Sequence, residues 1–205
     1  MAQPEDTLSS PSLPDEIPVM VLPDCHLFPG CLLPLFIFEE RYRLMLTHAL
    51  NTNRMFCIGN KEGTDEDSPI SLHTTAGLVR ACVQQEDGTS HLLLLGLQRI
   101  HLKSWRQETP FRIAKIEPVK TIIEDADEAK RLKDEALHMF EKCGVDSAKQ
   151  LRESLAKNED TELACDVLSY HFTRCPTLQQ KLLAETSLIK RLQMLIAALE
   201  KGKCK

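Results

Sequence analysis

The periodicity of the apolar residues changes once along this chain, after Pro118, and that change limits its possible folds more than any other feature. Upstream lie short apolar runs of strand length; downstream, apolar residues recur every three or four positions, the helical repeat. Ile17-Pro18-Val19-Met20-Val21-Leu22 reads as a strand, its proline suiting an edge position or a strand start. Residues 32–38, 55–58, 76–84, 91–103 and 111–119 continue the series. Asp87-Gly88 is a hairpin turn signal between two of these runs, and Gly96 marks a bulge or bend. A single helix interrupts them, with Glu39 and Glu40 in its first turn and Tyr42, Met45, Leu46 and Ala49 at helical spacing. So many short strands with one early helix predict a small closed or nearly closed β-barrel rather than a parallel sheet with crossover helices.

The second half predicts helices over 124–143, from Asp146, from Asp160 or Thr161, and over 177–201, the last broken near Thr186-Ser187. Gly144 is a natural stop for the first, whose inward stripe is Ala129, Leu132, Ala136, Leu137 and Phe140. The expected architecture is α+β: a flexible tail over 1–16, a β-rich barrel lobe over 17–120 and a helical bundle over 121–205.

At 205 residues the chain can bury roughly 70% of its unfolded surface, enough for a core without disulfides or metal. Eight cysteines with no CxxC pair read as reduced, mostly buried thiols, with Cys204 the exposed exception. The N-terminus has no basic residue followed by an apolar run, and no segment reaches membrane-spanning length, so a cytoplasmic location with no membrane partner is expected. The net charge of −5 counts against a protein that lives by phosphate contacts.

The order of motifs resembles the substrate-binding domain of the Lon family. Leu22-Pro23, Leu27-Phe28-Pro29-Gly30, Leu33-Pro34-Leu35 and Ile37-Phe38-Glu39 followed by Arg41-Tyr42 match its opening. Gly77-Leu78-Val79-Arg80, the strand around Gly96 and Arg99, Pro110-Phe111-Arg112-Ile113-Ala114, and Lys181-Leu182-Leu183-Ala184-Glu185 through Arg191-Leu192 continue the match over residues 16 to 201. The resemblance implies a PUA-like β-barrel with a C-terminal helical bundle that engages polypeptide substrates; cereblon, a ubiquitin-ligase substrate receptor, uses a related domain. No GxxxxGK[ST] phosphate loop occurs, and the length leaves no room for a peptidase domain, so no ATP hydrolysis, catalytic residue or cofactor is expected.

Candidate polypeptide contacts are Leu27 and Phe28 in the proline-containing loop, Tyr42, and the lone Trp105. Each has a structural reading beside the functional one: Phe28 plugs the barrel end, Tyr42 packs with its hydroxyl outward beside a paired Arg41, and Trp105 sits half-buried at the core edge. The metal constellations are weak: His171 and Cys175 with Cys165 and Cys143, and Cys25-His26 beside Cys31. GxSxG and HExxH are absent. The leading reading is a noncatalytic binder of unfolded or flexible polypeptide, acting as an adaptor, a regulator of a separate protease or ATPase, or a chaperone-like factor. The alternatives are RNA binding, by analogy with other PUA-like barrels, and an enzyme with an unrecognised site. Oligomeric state is open.

Overall fold

A computed structural model of the chain describes residues 12–61, 69–141 and 147–200. Six strands and six helices follow in the order β1 (Glu16–Pro23), β2 (Leu32–Ile37), α1 (Glu40–Asn51), β3 (Met55–Lys61), β4 (His73–Gln84), β5 (Ser90–Gln107), β6 (Arg112–Pro118), α2 (Ala126–Glu141), α3 (Ser147–Lys157), α4 (Thr161–Phe172), α5 (Pro176–Ala184) and α6 (Leu188–Glu200). The switch after Pro118 is therefore real: all six strands precede it and five of the six helices follow it.

The sheet runs β2-β5-β4-β3-β1-β6, and β6 also pairs with β5, so the chain of pairings β5-β4-β3-β1-β6 returns to its start. Strand β5 makes this possible by its length of 18 residues: its first half pairs with β2 and its second half with β6. The β4–β5 hairpin turns at Gly88, whose φ of 80° suits glycine, while the Asp87 carboxylate accepts from the Thr89 N–H. One pairing departs from expectation. β1 and β3 are parallel, with β2 and α1 between them in sequence. Nor is β1 an edge strand; Pro18 pairs with β6 before the β3 ladder begins at Val19, so its missing N–H costs no bond to β3.

The helical stripes close over their own core. Leu132, Ala136 and Phe140 of α2, Ala164 and Leu168 of α4 and Leu188, Leu192 and Leu195 of α6 pack together. Asp160 caps α4 by accepting from the Leu163 N–H. The break before α6 falls at Glu185-Thr186-Ser187, where the Ser187 hydroxyl accepts the Lys190 N–H. Within the stretch expected as a tail, Leu13 packs against the β-lobe and the Asp15 carbonyl accepts from the Ile116 N–H. The remainder of that tail, the loop over 62–68, the Gly144 stop, the Asp146 cap, Cys143 and Cys204 lie outside the described residues.

Candidate functional site

Two features stand out from this frame: the join between the lobes and an apolar face on the sheet. The join is built by the loop at 25–31. Leu27 enters the β-lobe core with Ile37 and Met45, whereas the next residue, Phe28, enters the helical core with Cys31, its ring 6.3 Å from that of Tyr170. Two glycines let the backbones meet. The Gly30 N–H donates to the Gly96 carbonyl and the Gly96 N–H to the Cys31 carbonyl, both at 2.9 Å. A Cβ on Gly96 would stand 2.1 Å from the Phe28 carbonyl oxygen, and Gly30 has a φ of 73°.

Beside this crossing lies a buried ionic cluster. Arg99 of β5 donates from Nη1 and Nη2 to the two carboxylate oxygens of Asp166 on α4, each at 2.5 Å. Arg191 of α6 donates to the same carboxylate at 3.0 Å, and also to Glu162 at 3.2 Å and Thr121 at 2.7 Å. Thr121 donates in turn to Glu162. Arg99, Asp166 and Arg191 are all buried, and two cations face two carboxylates. Desolvation works against the Arg99 charge, but the hydrogen bonds and charge of Asp166 outweigh it and hold the guanidinium above its ordinary range. A cleft of about 650 Å³ opens beside the cluster, reaching Pro29, Gly96, Lys120 and Asp160. Its innermost carboxylates already serve guanidiniums, and Asp160 serves a helix cap, so they are committed to the fold rather than free for proton transfer. Burial pushes the Cys25 thiol up to about 11 and Cys31 and Cys165 up to about 12, which keeps them protonated and poor nucleophiles.

The second feature is the outer face of β2, β5 and β4. A half-exposed antiparallel sheet ordinarily alternates apolar inward and polar outward. In β2 the inward Leu33, Leu35 and Ile37 meet the core, yet the outward Leu32, Pro34 and Phe36 are apolar as well. The register extends this surface across the strands. Phe36 opposes His91, which opposes Val83; Pro34 opposes Leu93, which opposes Ala81. Phe36 stacks on His91 at 4.6 Å and on Phe38 at 5.8 Å. Exposure reaches 49% for Phe36, 59% for Phe38 and 62% for Val83. Arg80, exposed like Ala81, falls at the register shift between Val79 and Ala81 and has no partner on β5; none of the six paired positions of the row is Lys, Arg, Asp or Glu. Past Phe38 the surface turns into a groove of about 370 Å³ between α1 and the hairpin, where Arg43 lies over Gly88.

The four expected contact residues do not assemble into this surface. Leu27, Phe28 and Tyr42 are buried: the first two hold the lobes together, and the Tyr42 hydroxyl donates to the Val21 carbonyl at 2.8 Å instead of facing water. Phe28 plugs the helical core, not the end of the sheet. Trp105 is 37% exposed under the Arg112 guanidinium, but it lies twelve positions beyond Leu93 on β5, of order 40 Å along an extended strand. The His171–Cys175 helix pairing also fails, because α4 ends at Phe172 and Cys175 is the N-cap of α5, while Cys165 is buried. Among the described residues no three His, Cys, Asp or Glu side chains stand close enough to share a metal. The apolar face did leave a trace in the sequence: a strand in which both alternate sets are apolar, carrying a proline that marks an edge.

Residues 16–201 match the family model of the ATP-dependent protease La (LON) substrate-binding domain. The chain belongs to this family. The Lon protease of Escherichia coli K12 is 26% identical over 192 residues, covering 90% of this chain and 24% of that protein. The Lon protease of Dictyoglomus thermophilum is 25% identical over 134 residues, 63% of this chain and 17% of its own length. The chain thus spans about a quarter or less of the Lon proteases it matches. Among solved structures, the N-terminal domain of a Mycobacterium avium complex Lon protease aligns with a TM-score of 0.72 at 17% identity, covering 90% of this chain and 98% of that one. A Lon N-terminal domain protein from Xanthomonas campestris aligns at 0.61 and 18% identity, covering 89% and 97%. The fold is that of a Lon N-terminal domain, mixed α+β. Among the described residues no helix is long and apolar enough to cross a membrane.

Proposed function

We propose that this Lon-type domain is a noncatalytic module that binds unfolded or flexible polypeptide on the outer face of β2, β5 and β4, working in the cytoplasm as an adaptor or regulator for a separate protease or ATPase. Its returning chain of strand pairings is, in this reading, a PUA-like barrel that holds the face rigid, with the helical lobe as its buttress. The observation that carries the proposal is the row Phe36–His91–Val83 and Pro34–Leu93–Ala81, five apolar side chains and one imidazole on an outward sheet face. Apolar burial is non-directional, so such a face takes many segments with weak sequence preference. Pairing along the β2 edge contributes little, because Pro34 has no N–H to offer and the Leu32 carbonyl already accepts from the Tyr170 hydroxyl at 3.2 Å.

A titration of the 15N-labelled chain with a permanently unfolded, carboxymethylated protein tests the proposal. Shifts should concentrate on β2, the first half of β5 and the end of β4, and Phe36→Ser with Phe38→Ser should remove them. Shifts confined to other surfaces, or binding untouched by the double substitution, would defeat it.

A further inference from the structure

A second site lies at the opposite end of β4. His73 on β4 and His101 on β5 are register partners whose ring centroids are 4.7 Å apart, with the planes at 57°. The Leu102 N–H donates to the Leu72 carbonyl at 2.7 Å, which makes 72 and 102 a hydrogen-bonded pair. The adjacent pair of histidines is then of the non-hydrogen-bonded kind, in which facing side chains stand closest. Leu102 is buried, so by strand alternation His101 points away from the core, and its partner His73 shares that face. The backbone at this end is held on two sides. Gln180 of α5 donates to the His73 carbonyl at 2.9 Å, and β6 runs alongside β5 with Glu117 opposite His101.

Neutral histidine offers a ring-nitrogen lone pair and is the commonest metal ligand among side chains. Glu117 adds a negative charge one strand away, balanced at present by Lys103 at 2.7 Å. We propose that His73 and His101 together bind one borderline divalent cation, zinc, nickel or copper, each through one ring nitrogen, with water filling the remaining positions. Imidazole suits these ions, whereas calcium and magnesium seek oxygen cages that this strand end does not offer. Metal–nitrogen bonds of about 2.0–2.1 Å require the two ligating nitrogens to lie about 3–3.5 Å apart. Imidazoles already in contact reach that spacing by small rotations about χ2, a broad torsion for histidine. The site pins β4 to β5 where α5 docks. It lies ten positions from Val83 on β4, of order 30 Å along the strand, so it is separate from the apolar face.

Isothermal titration of the full chain with zinc chloride, and separately with nickel chloride, tests the site. One saturable equivalent is expected, with His73→Ala and His101→Ala each weakening it by at least about tenfold, the cost that loss of even an outer metal partner carries. His48→Ala, on α1, should match the parent chain. His101→Asn, checked by far-UV circular dichroism, repeats the test should an alanine variant melt early. The copper(II) spin-resonance spectrum should show coupling to two nitrogens in the parent and one in each variant. Absence of a saturable equivalent, or equal affinity in the parent and both histidine variants, overturns the proposal; polypeptide titration should be unaffected by these substitutions, so the two sites fail independently.

Discussion

Asp166→Asn probes the join between the lobes more directly than any other single change. The substitution keeps the side-chain volume and removes one negative charge from a cluster in which Arg99 and Arg191 both donate to that carboxylate. Among the described residues, Glu162, 36% exposed and bonded at 3.2–3.3 Å, is left as the only carboxylate for two buried guanidiniums. Breaking a buried pair by removing one partner typically costs about 3–5 kcal/mol, chiefly the penalty of the uncompensated charge. For a chain of this size that corresponds to a fall in Tm of about 6–20 °C. Urea unfolding followed by Trp105 fluorescence, which reports the β-lobe, and by circular dichroism at 222 nm, which reports mainly the helices, gives the magnitude and shows whether the lobes still melt together. The companion variant Arg99→Met, Asp166→Leu, Arg191→Met should regain most of the loss, because a well-packed apolar replacement avoids the desolvation cost of all three ions. A loss below about 1 kcal/mol for Asp166→Asn, or a triple variant no more stable than the single one, would refute the cluster as the element that ties α4 and α6 to β5.

Gly96→Ala places a Cβ 2.1 Å from a backbone oxygen that has no side-chain freedom to retreat, so a loss of about 1–3 kcal/mol in urea unfolding is expected; a neutral result would show that the 25–31 loop is not fixed against β5. His26 is buried beside Asp24, Gln179 and Gln180, and burial lowers its pKa, so the unfolded chain binds the extra proton. Its contribution is therefore complete above the unfolded value of about 6.5 and is lost as pH falls from there towards the lower folded value. The urea midpoint of the parent should drop between pH 7 and 5 more steeply than that of His26→Leu, and parallel curves would contradict this. Val83→Ser and Phe38→Ser lie on the exposed face and should alter stability by no more than about 0.5 kcal/mol, which separates a binding defect from a folding defect.

Element type was legible from periodicity, and the elements that ran past their expected ends did so for physical reasons. His73-Thr74-Thr75 carry no apolar run and Ser104-Trp105-Arg106-Gln107 a single apolar ring among polar residues, yet pairing across the sheet draws them into β4 and β5. Residues 32–38 read correctly as a strand, but a run apolar on both faces does not say which side meets the core; only the pairing with β5 decides that Leu33 and Leu35 turn inward and Phe36 outward. Leu27 and Phe28 show the same limit more sharply. Adjacent apolar residues enter different cores, a fact about the crossing of the 25–31 loop and β5 that no local pattern encodes. The ionic cluster did leave a trace: Asp166 interrupts the inward stripe of α4, and Arg191 stands between Leu188 and Leu195 at the spacing of that stripe. A charge at an inward position needs a partner, and Arg99 in the glycine-centred strand supplies it.

The geometry of the face also sets how tightly a polypeptide can be held. Leu32, Phe36, Phe38, Val83 and Leu93 are each between about four and six tenths exposed, so covering them recovers roughly half of a full burial. At about 1.5–3 kcal/mol for a fully buried side chain, the face contributes about 4–7 kcal/mol, and the matching apolar surface of the bound segment about as much again. Association and the ordering of a flexible chain take back a large share. What is left corresponds to dissociation constants between about a millimolar and tens of micromolar for one segment on one face. Such contacts exchange quickly, so resonances of Leu93 and Val83 should move progressively during a titration instead of being replaced by a second set. Tight, slowly exchanging binding to a monomeric chain would mean that a surface other than β2–β5–β4 carries the affinity. Weak single contacts become selective for unfolded chains when several occur together, because effective concentration multiplies them. A folded protein rarely exposes a large contiguous apolar patch, whereas an unfolded chain exposes many apolar segments.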